Sequence, residues 1–197
     1  MAVITTPQNQ PVSHLCCTLH LLFVPLLLIA ACTDTGLSPL PSPPSGPYRL
    51  GSGDKVQLFV FGEGELSKEY PVNDAGNISI PLVGNVPVNG KTIVEVEAAI
   101  KEALNKGIVR DATVGVHIAA YRPFYILGEV AKPGQYSYVF GMNVLTAIAI
   151  AGGFTLRADK DDMTISRVIE NGSIEGAAKQ TTKIEPGDTI YVRERYF

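Results

Sequence analysis

The stretch YRPFYILGEVAKPGQYSYVFGMNVLTAIAIAGGFTLRADK, residues 121–160, decides how this chain folds. It opens with an apolar run, Pro123-Phe124-Tyr125-Ile126-Leu127-Gly128, that reads as a buried strand. In Lys132-Pro133-Gly134, Pro presets φ at the first central turn position and Gly supplies a positive φ at the second. The spacing therefore predicts a type II turn. Residues 135–139 read as the next strand. Asn143 is a candidate N-cap for a short helix over 144–151, with Val144, Leu145, Ile148 and Ala151 on one stripe. Gly152-Gly153 ends it, because glycine takes the left-handed conformation without steric cost. Strand, turn, strand and helix make a small α/β module in which nothing has the pattern of a reaction centre.

Downstream, residues 163–169 alternate as a strand and Asn171-Gly172 fits a two-residue hairpin turn. Residues 176–180 are small and polar and predict a loop. Glu185-Pro186-Gly187-Asp188 turns the chain into a last strand over 189–192. Gly187-Asp188 echoes Gly53-Asp54 upstream. Each pair starts a strand, which reads as repeated turn chemistry and not as duplication.

Upstream, Val56, Leu58 and Val60 alternate with Gln57, Phe59 and Phe61. Both faces are largely apolar, so this strand is expected to be central. Residues 70–72 and 78–80 flank Asn73-Asp74-Ala75-Gly76, a hairpin signal, and Pro81-Leu82-Val83-Gly84 reads as its continuation. Thr92, with Glu95 three residues on, forms a capping box for a helix carrying Ile93, Val96, Ile100, Ala103 and Leu104 at helical spacing. Gly107 is its expected stop. Residues 113–120 then alternate as a strand with Val114, Val116 and Ile118 inward. The order predicts an α+β chain of two small domains, residues 48–120 and 121–197.

With 197 residues and 46% hydrophobic content, a sizeable core is possible. A net charge of −3 with no basic run argues against nucleic-acid binding, which needs clustered Lys and Arg. Cys16, Cys17 and Cys32 all lie near the N-terminus, so the folded part has no thiol for a disulfide or a metal. Residues 21–31, LLFVPLLLIAA, are too short for a membrane span and fit a signal-peptide apolar region. Ile29-Ala30-Ala31-Cys32 resembles a bacterial lipobox: small residues admit a peptidase, and the Cys32 thiol would carry lipid. Residues 1–20 depart from an ordinary signal in having no Lys or Arg. A plain secretory signal or a retained anchor helix are the alternatives. Thr33 stands where Asp would retain an enteric lipoprotein at the inner membrane, which favours the outer membrane. Residues 33–47, rich in proline, predict an extended tether reaching about 45 Å.

A family resemblance rests on Gly128-Glu129-Val130, Pro133-Gly134, Ala147-Ile148-Ala149 and Ala151-Gly152-Gly153. In the first half it rests on Gly53-Asp54, Phe61-Gly62-Glu63, Leu66-Ser67, Asp74, Gly76, Ile78, Pro81-Leu82, Gly84, Val86 and Gly90-Lys91-Thr92. These runs resemble the export domain of bacterial polysaccharide export proteins followed by their soluble-ligand-binding β-grasp (SLBB) domain. The resemblance implies a non-catalytic, cofactor-free, outer-membrane lipoprotein facing the periplasm. It further implies a ring of identical subunits that conducts a capsular or extracellular polysaccharide. An inner-membrane polysaccharide co-polymerase and a separate outer-membrane pore are the implied partners. Longer members add another ligand-binding domain and an amphipathic pore helix. With the sequence ending at Phe197, this chain is expected to sit on the membrane by its lipid without spanning it.

Glu63 and Glu65 could suggest a glycosidase pair, but their Gly-rich surroundings read as a solvated loop. Asp159, Asp161 and Asp162 lack the spacing of a calcium loop and read as a polar turn before a strand. His117 has no Cys or His partner and reads as a surface or edge residue. Gly90-Lys91-Thr92 lacks the earlier glycine of a phosphate loop. Tyr121, Tyr125, Tyr136 and Tyr138 offer faces to sugar rings, and Arg122 and Arg157 offer charge to acidic groups; core packing is the competing role, most of all for Phe124. A periplasmic module that binds a carbohydrate or other small ligand is the alternative function, and a carbohydrate-active enzyme a more distant one.

Overall fold

Strand β1 (Lys55–Val60) opens the folded part and is followed by β2 (Glu69–Pro71), β3 (Asn77–Ile80), β4 (Gly84–Pro87), α1 (Ile93–Asn105) and β5 (Val114–Ala120). Then come β6 (Phe124–Gly128), β7 (Gly134–Tyr136), α2 (Val144–Ile150), β8 (Ala158–Ile169), β9 (Gly172–Ala178) and β10 (Thr189–Glu194). The structure is a computed structural model and describes residues 37–41, 46–106, 109, 111–169 and 172–195. The signal segment, Cys32, Gly107 and the Asn171 turn position lie outside the described residues.

The mixture is α+β, with two hydrophobic clusters. In the first, β1 is the middle strand of an antiparallel sheet ordered β2-β1-β5, the central place its apolar content predicts. Val56, Leu58 and Val60 are buried, whereas Phe59 on the opposite face is half exposed, so only one face is covered. Helix α1 buries Val96, Ile100 and Leu104 in this cluster. Its capping box forms as read: Glu95 N donates to Thr92 Oγ1, and Thr92 N donates to Glu95 Oε2 at 2.7 Å.

Residues 70–72 and 78–80, expected to pair across Asn73–Gly76, join different sheets. The turn itself closes, with Gly76 N donating to Asn73 O, but β2 pairs with β1 and β3 pairs with β4. Pro81-Leu82-Val83 does not extend β3. It forms the β3–β4 turn, with Leu82 at φ 67°, because Pro81 has no N–H for a ladder.

The second cluster is a five-stranded sheet ordered β7-β6-β10-β8-β9, antiparallel except for the β6–β10 pair. Phe124, Ile126, Ile165, Ile190 and Val192 point to one face, where α2 covers them with Val144, Ala147 and Ile148. Asn143 caps α2, accepting from Thr146 N at 2.9 Å. At the other end Gly153 N donates to Ile148 O and Gly152 N to Ala149 O, a Schellman closure. Leu145, expected on the buried stripe, is half exposed, and Ala147 takes its place. Gly128 ends β6 where only glycine fits, since a Cβ there would lie 2.0 Å from Val192 O.

Three other expectations change. Gly134 takes the expected positive φ, but at 158° it lies far from the value of about +80° in a type II turn, and the residue starts β7 instead. Residues 176–178 belong to strand β9, because their backbones pair with β8 whatever their composition. Asp159, Asp161 and Asp162 lie inside β8 beside a bulge opposite Val192/Glu194, and Asp159 Oδ1 accepts from the N–H of both Asp161 and Asp162. The tether differs too: Pro39 forms a single parallel bridge with Ala177 of β9, with Ser38 O and Leu40 N bonded to Ala177.

Thr92→Ala is expected to cost about 1 kcal/mol at pH 7, read by urea unfolding. The hydrogen bonds from Thr92 N and Oγ1 hold the Glu95 carboxyl below its ordinary value of 4.5. Its contribution is therefore complete above 4.5 and lost as pH falls through the depressed folded value. The penalty of Glu95→Ala should shrink over that acidic window.

Candidate functional site

The two Gly-Asp pairs fold into the same device. Asp54 N donates to Gly51 O and Asp188 N to Glu185 O, both at 3.1 Å, while Gly53 and Gly187 sit at φ 91° and 88°. These are type II turns with glycine at the left-handed position. Each aspartate carboxylate then reaches back to accept the N–H that opens its turn: Gly51 N to Asp54 Oδ2 at 2.8 Å, and Glu185 N to Asp188 Oδ2 at 2.7 Å. Both aspartates are 0% exposed, so each anion needs further partners.

Those partners are arginines. Arg167 grips Asp188 in two-pronged fashion, Nε to Oδ1 at 2.8 Å and Nη2 to Oδ2 at 2.7 Å, with Glu185 3.4 Å from its Nε. Burial works against the Arg167 charge, but the hydrogen bonds and charge of Asp188 outweigh it and raise the pKa further. Asp54 accepts from Arg122 N at 2.7 Å, Arg122 Nη1 at 3.4 Å and the Tyr48 hydroxyl at 2.7 Å. Burial, then the bond to Asp54, pushes the Tyr48 hydroxyl well above the usual phenol range, so it stays a donor.

Arg122 also donates from Nε to Pro186 O at 3.0 Å, which places it between the two turns. The fit leaves no room for side chains. An added Cβ would fall 2.3 Å from Arg122 Nη1 at Gly51 and 3.0 Å from its Nε at Gly187. One arginine thus joins the first cluster to the second.

The candidate sugar-contact residues separate into groups. Tyr121 stacks edge-on between Tyr48 and Tyr138, at 4.9 and 5.4 Å between ring centres. Tyr138 is buried and donates its hydroxyl to Ile184 O. Burial raises the pKa of both phenols. Tyr136 packs against Phe124 and donates to Lys132 O. Arg157 is exposed and pairs with Glu194. Tyr125 stands apart: it lies exposed on the open face of the second sheet, beside Leu127 and Tyr191. Asp54 and Asp188 were read from the sequence only as repeated turn chemistry before a strand, and Tyr48 and Arg167 were not singled out as site residues.

Glu63 lines an open groove of about 550 Å³ with Phe59, Phe61, Gly64 and Thr113, and both Glu63 and Glu65 are exposed. His117 is exposed on the edge strand β5, its ring edge-on to Phe59. Among the described residues, no group of three or more His, Cys, Asp and Glu side chains is placed to hold a metal, and no helix is long and apolar enough to cross a membrane.

Arg122→Ala leaves the buried Asp54 carboxylate short of its cation. The expected loss is about 2–4 kcal/mol in urea unfolding, kept below the fully buried range because the guanidinium is 31% exposed. Combined with Asp54→Asn, the loss should be smaller than the sum of the two single changes. Arg157→Ala, at an exposed pair, should change stability little.

Comparison with known proteins gives the site its context. A family model described as polysaccharide biosynthesis/export protein matches residues 42–119, and a model of the SLBB domain matches residues 123–178. The exopolysaccharide production protein ExoF of Rhizobium meliloti is 34% identical over 169 residues, covering 80% of this chain and 39% of that protein. The EPS I polysaccharide export outer membrane protein EpsA of Ralstonia nicotianae is 28% identical over 183 residues, covering 76% and 48%. The polysialic acid transport protein KpsD of Escherichia coli is 28% identical over 108 residues, covering 54% and 19%. The chain thus spans less than half the length of each of these relatives. With an export domain and an SLBB domain in tandem, and relatives named for polysaccharide production, export and transport, this chain belongs to the polysaccharide biosynthesis/export protein family.

Proposed function

We propose that the protein is a non-catalytic component of a capsular or extracellular polysaccharide export machine. In this reading Cys32 carries lipid that anchors the chain to the outer membrane from the periplasmic side. Copies assemble head to tail into a ring that guides the polymer, since a patch meeting a different patch closes a ring when the rotation permits. An inner-membrane polysaccharide co-polymerase supplies the chain and a separate outer-membrane component provides the opening.

The observation that carries the reading is the tandem of the two matched domains with Arg122 clamped at their junction. A ring needs each subunit to present its two contact surfaces at a fixed angle. A half-buried ion pair at the junction of the clusters, seated against two glycine turns, supports that rigidity. The relatives' names support polysaccharide as the cargo.

A second reading is favoured by one observation. Tyr125 and Tyr191 are each nearly half exposed on the same open sheet face, with Leu127 directly opposite Tyr191. Flat aromatic faces suit sugar rings, so the domain would act as a periplasmic carbohydrate-binding module without forming a conduit.

Sedimentation of the delipidated protein at rising concentration, with surface polymer assayed in a deletion strain, tests the first reading. Assembly beyond the monomer and loss of surface polymer are expected. A monomer at every concentration together with unchanged polymer overturns it. For the second reading, Tyr125→Ala with Tyr191→Ala should abolish binding of short oligosaccharides while leaving the fold, read by urea unfolding, intact.

A further inference from the structure

The open face of the first sheet carries its own exposed aromatics. Phe59 of β1 is 49% exposed, and Phe61, just beyond the strand, 85%. The residue directly across from Phe59 on β5 is Gly115. A Cβ built there would meet nothing nearer than the Phe59 Cβ, at 4.0 Å. The place where the neighbouring strand would cover the ring is therefore open. Both phenylalanines line the groove of about 550 Å³, a volume inside the range of about 300–1,000 Å³ for small-ligand sites.

Polar planar groups stand beside the ring. The register sets Glu69, Gln57 and His117 in one row across β2, β1 and β5. Residues two apart on a strand share a face, so this row lies on the Phe59 face, about 7 Å along β1. His117 meets Phe59 edge-on, with ring centres 5.9 Å apart. Gln57 spends one amide hydrogen on Leu58 O. The Glu69 carboxylate and the His117 ring nitrogens have no hydrogen-bond partner among the described residues. Carboxylate, amide and imidazole thus offer acceptors and donors next to an aromatic plane. A pyranose ring matches that pairing: its C–H face packs on the aromatic ring while its hydroxyls bond around the rim.

Charge selects among sugars. Among the described residues, Glu63 lines the groove and no lysine or arginine does. Glu69 adds a second carboxylate. Lys55, on the same face, stands two rows from Phe59, beyond Gln57. An acidic sugar would meet like charge here, whereas the hydroxyls of a neutral one donate to the carboxylates.

We propose that this face binds uncharged sugar rings, with Phe59 as the stacking platform, Phe61 flanking it, and the row of Glu69, Gln57 and His117 bonding the hydroxyls. The site is on the export domain, on a different sheet from Tyr125 and Tyr191. It rests on polysaccharide as the cargo proposed above and names the class of sugar.

Saturation-transfer NMR on the delipidated full chain tests it, with aromatic protons irradiated in the presence of maltohexaose, laminarihexaose or hexagalacturonate. At least one neutral hexamer should accept saturation, at least threefold more strongly than hexagalacturonate. Phe59→Leu and Gly115→Val should each cut that transfer at least threefold without moving the urea midpoint. Where one of them shifts the midpoint, the other decides. Tyr125→Ala with Tyr191→Ala should leave the Phe59-dependent transfer unchanged. No transfer to either neutral hexamer, or transfer untouched by the deciding variant, overturns the site. Stronger transfer to hexagalacturonate overturns the sugar class and with it the proposal. Transfer lost only with the tyrosine pair moves the contact to the second sheet, and the proposal falls. An unsubstituted protein that assembles without accepting sugar, beside a Phe59→Leu chain that stays monomeric, assigns the face to a second copy and overturns it too. Each of these outcomes leaves the export reading standing; that reading falls separately, on unchanged surface polymer in a deletion strain.

Discussion

A carboxylate with no access to water must be answered by donors inside the protein, and Asp54 imposes that demand on the whole chain. Its donors come from the segment before β1, from the turn it closes and from the link between the two clusters. None of those pieces can move without leaving an anion unsatisfied, at a cost well above that of an ordinary surface pair. Asp188 makes the same demand within the second sheet, answered by Arg167. The two turns are alike because the requirement is alike: a glycine to reverse the backbone and an aspartate to close it from inside. Arg122 links the two arrangements, bonding to Asp54 on one side and to Pro186 on the other.

Much of this was legible in the amino-acid sequence, and the failures have physical reasons. Local chemistry read well: Thr92 with Glu95, Asn143, and Gly152-Gly153 each act over a few residues and do what their side chains dictate. Pairing partners read badly. Residues 70–72 and 78–80 carried the right alternation but diverge, because alternation identifies a strand without naming its neighbour. Residues 176–178 looked like a loop, since small side chains carry no strand signal when backbone bonds alone hold the edge.

The candidate residues divide on the same line. Arg122 and Tyr138 were chosen for what their side chains offer a sugar polymer, yet their donors are engaged inside the protein. Sequence shows what a side chain can bond, and only the three-dimensional neighbourhood shows whether that capacity is already spent. Tyr125 is the candidate that the fold leaves facing outward beside a second exposed tyrosine, through the parallel β6–β10 pairing that no local pattern announces.

The chain contains no tryptophan, so its ultraviolet emission comes from tyrosine. Tyr48, Tyr121 and Tyr138 stand ring to ring where the clusters meet, and Tyr48 donates its hydroxyl to a buried carboxylate. Nature has thereby installed an optical gauge at the seam: parting of the two halves would unstack the rings and free the phenol, changing intensity without any dye attached.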